Sequence, residues 1–228
     1  MLNTSFKYVL EIACFNLQSC AQAQEAGADR IEFCDNYHSG GITPSKSDII
    51  EARKIIHIPL HVIIRPRGGN FVYDTEEIEI MKRDVLFCKE LNVNGVVFGA
   101  LNSDNTIDLI ANKELVELAK PMSVTFHRAI DECENTEKAL KEIIGLGFNK
   151  VLTSGGKKSA IEGIETLKSY QEKYGKKITI IPGGGIRSSN IASIAKETQC
   201  HQFHSAAITD STSISDPLEI KHLKLKLL

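Results

Sequence analysis

The sequence predicts a single (β/α)8 barrel of the TIM type over residues 1–228. Three observations carry this. Short apolar runs alternate with amphipathic helical segments along the whole chain, which implies crossover units and a parallel sheet. Eight such runs occur, their starts about 28 residues apart, a spacing that suits βα units. Eight units in roughly 200–250 residues fit a barrel. A doubly wound open sheet is the runner-up, but that fold often opens on a Gly-rich turn, and the first turn here is Cys14-Phe15-Asn16-Leu17.

The elements follow in order. Strand one is expected over 8–13 and its helix over 17–26, ended by Gly27. Strand two covers 30–34, and its helix covers 45–56 with Ser45 as cap. Strand three covers 61–65 with a helix over 75–91, and strand four covers 95–99 with a helix over 108–119. Strand five covers 122–127, and its helix over 136–146 ends between Gly145 and Gly147. Strands six, seven and eight cover 150–153, 178–182 and 202–205, with helices over 160–174, 188–198 and 217–227. The absence of any Pro/Ser-rich linker points to one domain.

Composition excludes several classes. Lys and Arg total 27 against 29 Asp and Glu, a net charge of −2, so the basic excess of a nucleic-acid binder is missing. Hydrophobic residues make up 42% and charged residues 25%, as in folded globular chains. No apolar run approaches the ~20 residues of a membrane span, and the opening Met-Leu-Asn-Thr-Ser-Phe-Lys lacks a signal-peptide pattern. The six cysteines are too sparse for a disulfide framework. A cytoplasmic protein with reduced thiols is the expectation.

Strand alternation sorts the side chains. A glutamate should not face the helix layer, so Glu11 points into the barrel. The same parity turns Arg30, Glu32 and Cys34 inward from strand two, and His61, Ile63 and Arg65 from strand three. Ser123, Thr125 and His127 follow from strand five, Val151 and Thr153 from strand six, and Gln202 and His204 from strand eight. Glu11, Glu32, Arg65, His127, Thr153 and His204 thus gather toward the C-terminal strand ends, where barrel enzymes keep their chemistry. A structural ion network of Glu11 and Glu32 with Arg65 is the alternative reading.

Several motifs surround this cluster. Arg65-Pro66-Arg67-Gly68-Gly69 reads as an anion clamp, with two guanidinium forks and glycines that admit close backbone approach. His127, in Thr125-Phe126-His127-Arg128-Ala129, is the best-placed general acid/base, and Asp131 is placed to orient it or to bind ligand. Glu11 or Glu32 would set its charge or share its work. Thr153-Ser154-Gly155-Gly156 and Pro182-Gly183-Gly184-Gly185 are turns whose amides suit a phosphate or another anion. Gly40-Gly41-Ile42-Thr43-Pro44 either shapes the pocket rim or simply turns the chain.

A Schiff-base aldolase needs an inward lysine near the active ends, whereas Lys7 and Lys150 stand at strand starts. An enolase-type site wants acids from three neighbouring strands, and Arg65 occupies the third. Copper(I) prefers several soft ligands, and Cys34 is the one inward cysteine at an active end. Cys14 has the opposite parity. Cys20, Cys88 and Cys200 read as helix packing residues, and Cys133 as a loop residue near His127.

These motifs together resemble the CutC family. The resemblance rests on Leu10-Glu11-Ile12, Gly27-Ala28-Asp29-Arg30-Ile31-Glu32-Phe33-Cys34, Gly40-Gly41-Ile42-Thr43-Pro44-Ser45 and Ile64-Arg65-Pro66-Arg67-Gly68-Gly69. Val97-Phe98-Gly99, Val124-Thr125-Phe126-His127-Arg128-Ala129, Val151-Leu152-Thr153-Ser154-Gly155, Pro182-Gly183-Gly184-Gly185 and His204-Ser205 continue it in the same order over about residues 7–206. It implies a (β/α)8 barrel, a cytoplasmic location, an oligomeric habit and a copper-binding role, with Cys34 and the neighbouring Cys14 as ligands. Many members carry a cysteine where this chain has Ala13, and many have a longer segment after the position of Ser205.

Two functions are therefore expected. One is copper binding in copper homeostasis. The other is a barrel enzyme for a small anionic or phosphorylated metabolite at the C-terminal face of the barrel. In the second, Arg65, Arg67, Thr153, Gly155, Gly156, Gly183, Gly184, Gly185 and His204 would hold the anion. Neither function involves nucleic acid or a membrane.

Overall fold

A computed structural model describes residues 8–228; Lys7 lies outside them. Eight strands alternate with eight α-helices: β1 (Val9–Cys14), α1 (Leu17–Glu25), β2 (Arg30–Phe33), α2 (Lys46–Ile55), β3 (Leu60–Ile63), α3 (Thr75–Glu90), β4 (Gly95–Phe98), α4 (Leu109–Ala119), β5 (Ser123–Phe126), α5 (Thr136–Leu146), β6 (Lys150–Thr153), α6 (Ile164–Tyr174), β7 (Thr179–Pro182), α7 (Ile191–Thr198), β8 (Gln202–Ser205) and α8 (Pro217–Leu225). The strands form one parallel sheet in the order β7-β6-β5-β4-β3-β2-β1-β8, and β7 lies against β8. The sheet is a nearly closed barrel, and no helix among the described residues is long and apolar enough to cross a membrane.

Helix starts follow the sequence closely. The side chains of Asn16, Ser45, Asp108, Asn135 and Asp216 accept N–H bonds from the first turns that follow them, and Asp74 and Glu77 form a reciprocal capping box. The expected starts at 160 and 188 are early. Residues 160–163 form turns before α6, with Gly163 at its N-cap, and α7 begins only after Asn190. Short 3-10 turns at Tyr37–Ser39 and Arg128–Glu132 were not legible as elements.

The outward strand faces bury Phe33, Phe98, Phe126 and Phe203 against the helices. The inward parity holds for the first, second, third, fifth and eighth strands, but strand six is corrected. Val151 lies in the core beneath the helices, while Leu152 lines the barrel mouth and Lys150 reaches inward to the Ser123 hydroxyl. The flanking residues are apolar on both sides, so alternation alone could not fix this short strand. Gly95 is required where the barrel narrows. A Cβ there would lie 2.7 Å from His61 Nε2 and 2.7 Å from the Ser123 carbonyl oxygen.

Candidate functional site

The lower barrel interior is polar, where aliphatic layers are usual. Glu11 is level with Arg30 on β2 and with His204 on β8. Its carboxylate accepts a short hydrogen bond from Arg30 Nε and lies 2.8 Å from His204 Nδ1. Arg30 also donates to Gln202 at 2.9 Å, and His61 Nδ1 stands 3.7 Å from Glu11. Burial alone would raise the Glu11 carboxyl, but Arg30, His204 and His61 hold it well below the usual carboxylate range. Burial drives His61 down to about 3, so its ring is neutral. The expected ion network therefore exists, but its cation is Arg30, not Arg65.

One level higher, Glu32 lies 3.3 Å from His204 Nδ1. Burial raises its carboxyl to about 7, helped by the Glu11 charge and opposed by His204 and Arg30. His204 moves upward despite burial, because Glu32 and Glu11 favour its charged form. Donor atoms of Glu11, Glu32 and His204 lie within 4.8 Å of one another. Arg30 and His204 already neutralise Glu11, which makes this an ion network complete in itself.

Above it, a cavity of about 120 Å³ opens at the C-terminal mouth. Strands contribute Ala13, Glu32, Ile63, Leu152 and His204. Cys34, Arg65 and His127 follow at strand ends, and loops add Phe15, Gly40, Phe71 and Arg128. The volume is small beside the roughly 300–1,000 Å³ of drug-sized sites. Glu32 is the single carboxylate residue in this lining.

His127 is buried and its ring packs on Phe71, centroids 4.7 Å apart. Its Nδ1 accepts the Ala129 N–H at 3.3 Å, which places the proton of the neutral ring on Nε2. That Nε2 is buried with no hydrogen-bond partner among the described residues. Burial and the Arg65 charge push His127 down to about 3. It is a neutral donor near pH 7 rather than the proton carrier expected from an unperturbed imidazole.

The expected anion sites are rearranged. Arg65 lines the cavity, but its guanidinium donates to the carbonyls of Ser39, Gly41 and Gly69 at 2.8, 2.8 and 2.7 Å and lies over Phe71. Arg67 does not join it as the second arm of a clamp. Arg67 pairs with Glu77 at 2.5 Å, donates to Val72 and Asn70, and lies over Tyr73. The turn after β6 is filled from within. Asp131 accepts from Thr153 Oγ1 at 2.6 Å, Ser154 N at 3.0 Å and Gly156 N at 3.0 Å, and it pairs with Arg128 at 2.8 Å. Gly155 and Gly156 adopt φ of +75° and +69° to form this cradle. Thr153, Ser154 and Gly156 thus hold the chain's own carboxylate, the Gly155 N–H donates to Thr153 Oγ1 at 2.9 Å, and Asp131 serves this turn instead of orienting His127.

Three cavity residues, Phe15, Phe71 and Arg128, escaped the sequence reading. Strict alternation turns Arg128 outward, but the 3-10 turn after β5 swings it into the mouth. Its Nε and Nη2 are bound by Asp131 and Ser154, and no partner occupies Nη1 among the described residues. A Cβ on Gly184 would approach that Nη1 to 3.1 Å, so the glycine turn after β7 leaves the guanidinium its place. Gly183 faces the barrel between Leu152 and His204, and Gly185 lies farther out, exposed. Phe15 and Phe71 are the others; loop aromatics have no periodicity to mark them.

The cysteines separate. Cys34 lines the cavity. Cys14 is the last residue of β1 and faces the helix layer, buried in the core with Cys20. Burial raises both the Cys14 and Cys34 thiols well above the ordinary range. Cys200 is corrected as well: it follows α7 rather than sitting on a helix. All six cysteines are free.

The model of the CutC family matches residues 8–209. The chain belongs to the CutC family. This CutC-family chain is 44% identical over 199 residues to a CutC family protein of Chromobacterium violaceum, covering 87% of this chain and 81% of that protein. It is 42% identical over 216 residues to one from Bacteroides fragilis, covering 94% and 85%. A crystal structure described as the candidate copper homeostasis protein CutC from Streptococcus agalactiae superposes with a TM-score of 0.83 at 35% identity, covering 87% of this chain and 98% of that one. Phosphoribosyl anthranilate isomerase from Thermotoga maritima, at 14% identity and a TM-score of 0.66 over 96% of this chain and 98% of that one, shares the barrel fold alone.

The donor set gives copper(I) a poor fit. That ion prefers several soft ligands, and one thiol faces the cavity while Cys14 is turned into the helix layer.

Proposed function

We propose that this CutC-family chain is an enzyme that binds a small anionic metabolite at the barrel mouth and transfers a proton on it. The single observation that carries this reading is the buried, unpartnered Nε2 of His127 at the cavity. An unpaired buried donor costs about 1–3 kcal/mol, which a ligand acceptor would recover. Arg128 Nη1 and the Arg65 charge make the mouth attractive to an anion, with His204 beside them. Glu32 is the proton-transfer group, because its carboxyl sits at about 7 and matches a general acid/base at neutral pH. Glu11 keeps its charge and sets the electrostatics beneath.

Ligand-observed NMR with small carboxylates and phosphates tests this. Wild type should bind members of the panel, and Arg128→Gln and His127→Phe should each weaken binding by about tenfold or more. Binding indifferent to both substitutions contradicts the reading.

Copper handling is the second reading, motivated by the description of the Streptococcus relative and by the Cys34 thiol in the cavity lining. An anaerobic copper(I) competition titration decides it. Tight binding lost in Cys34→Ser supports it, and weak binding or binding unchanged in that variant counts against it. A cytoplasmic location and homo-oligomeric assembly belong to the same proposal, and the six free cysteines agree with a reducing compartment.

A further inference from the structure

The cavity chemistry narrows the substrate class, an inference that rests on the enzyme reading above. We propose that the substrate is a small carbonyl compound bearing a carboxylate or phosphate, and that the reaction begins with removal of a proton from the carbon next to the carbonyl. Glu32 is the base, and His127 Nε2–H holds the carbonyl oxygen.

Geometry assigns these roles. Glu32 is the one carboxylate residue lining the cavity. It comes from β2 and His127 from the end of β5, strands three places apart in the sheet, so the two reach a ligand from different sides. His127 cannot swing away. Its Nδ1 takes the Ala129 N–H, its ring is stacked on Phe71, and a Cβ on Gly99 would already lie 3.0 Å from its Cε1. A neutral, fixed N–H donor suits an oxygen that gains negative charge in the transition state. Arg128 Nη1 anchors the anionic end.

The step balances without a further reactant. The Glu32 carboxylate takes the proton, and the C–H electron pair becomes the new C=C bond. The carbonyl π pair moves onto oxygen, giving an enolate hydrogen-bonded by His127. When the Glu32 carboxyl trades its proton with solvent before returning one to the same carbon, that carbon exchanges hydrogen; where the carbon that lost the proton bears a hydroxyl, return to the former carbonyl carbon, after the hydroxyl proton moves to the enolate oxygen, isomerises the substrate.

The test is proton NMR in deuterium oxide with pyruvate and dihydroxyacetone phosphate as probes, which separate a carboxylate anchor from a phosphate anchor. Wild type should speed loss of the α-proton signal of at least one probe. Oxalate, a planar mimic of the pyruvate enolate, should inhibit exchange of pyruvate in unaltered protein, a readout that needs no variant. Glu32→Gln should abolish exchange, and His127→Phe should slow it by about 10²–10³-fold. Binding of a probe with exchange of neither overturns enolisation and leaves the anion-site reading standing. Failure of both probes to bind overturns the two together, and exchange unchanged in Glu32→Gln overturns the assignment of the base.

Discussion

The Asp131 carboxylate accepts the Gly156 N–H at 3.0 Å, so the glycine turn after β6 carries an internal anion where a ligand phosphate was expected. The same carboxylate binds Arg128, which couples the turn to the guanidinium at the barrel mouth.

Asp131→Ala should therefore destabilise the fold by about 3–5 kcal/mol, since it strands several buried donors and a paired arginine. Urea unfolding measures this. Sulfate should stabilise the variant more than wild type, because the vacated amides accept an oxyanion.

The Glu11–Arg30 pair gives a second prediction. Both side chains are buried, so Arg30→Met leaves Glu11 with His204 as its one close charge partner and should cost about 3–5 kcal/mol. Combining it with Glu11→Leu should recover a large part of that loss. A double-mutant cycle by chemical denaturation checks both.

Gly95→Ala should cost about 1–3 kcal/mol or more. One of the two atoms 2.7 Å from its added Cβ is the Ser123 backbone oxygen, which cannot rotate aside. The thermal midpoint reports the loss.

Stability should also depend on pH in a defined way. His61 and His127 are held at about 3 when folded against about 6.5 unfolded. The unfolded chain binds more protons between those values, so both contribute stability that rises with pH from about 3 to about 6.5 and is lost as pH falls. Glu32, raised to about 7, opposes this as pH rises from about 4.5 to about 7. Denaturation across this range should show His127→Phe flattening the slope and Glu32→Gln steepening it.

Much of this was legible in the chain. The inward glutamates and histidines declared themselves because a charge on a helix-facing position would be buried among phenylalanines such as Phe33 and Phe203. β6 resisted, because Val151 and Leu152 are both apolar and four residues do not fix a phase. The mouth resisted for another reason. Arg128 and Asp131 belong to a 3-10 turn, where strand alternation has ended, and their partners lie more than twenty residues away at Ser154 and Gly156. Arg65 was found at its position, but the backbone carbonyls that hold it could not be read from residue types.

Nitrogen-15 NMR of the His127 ring tests whether the barrel mouth is built around a neutral donor. Distinct protonated Nε2 and unprotonated Nδ1 resonances should stay fixed from about pH 8 to about pH 5, with the Nε2 signal shifting when a small anion binds. An imidazolium signature within that range, or a proton on Nδ1, would contradict it.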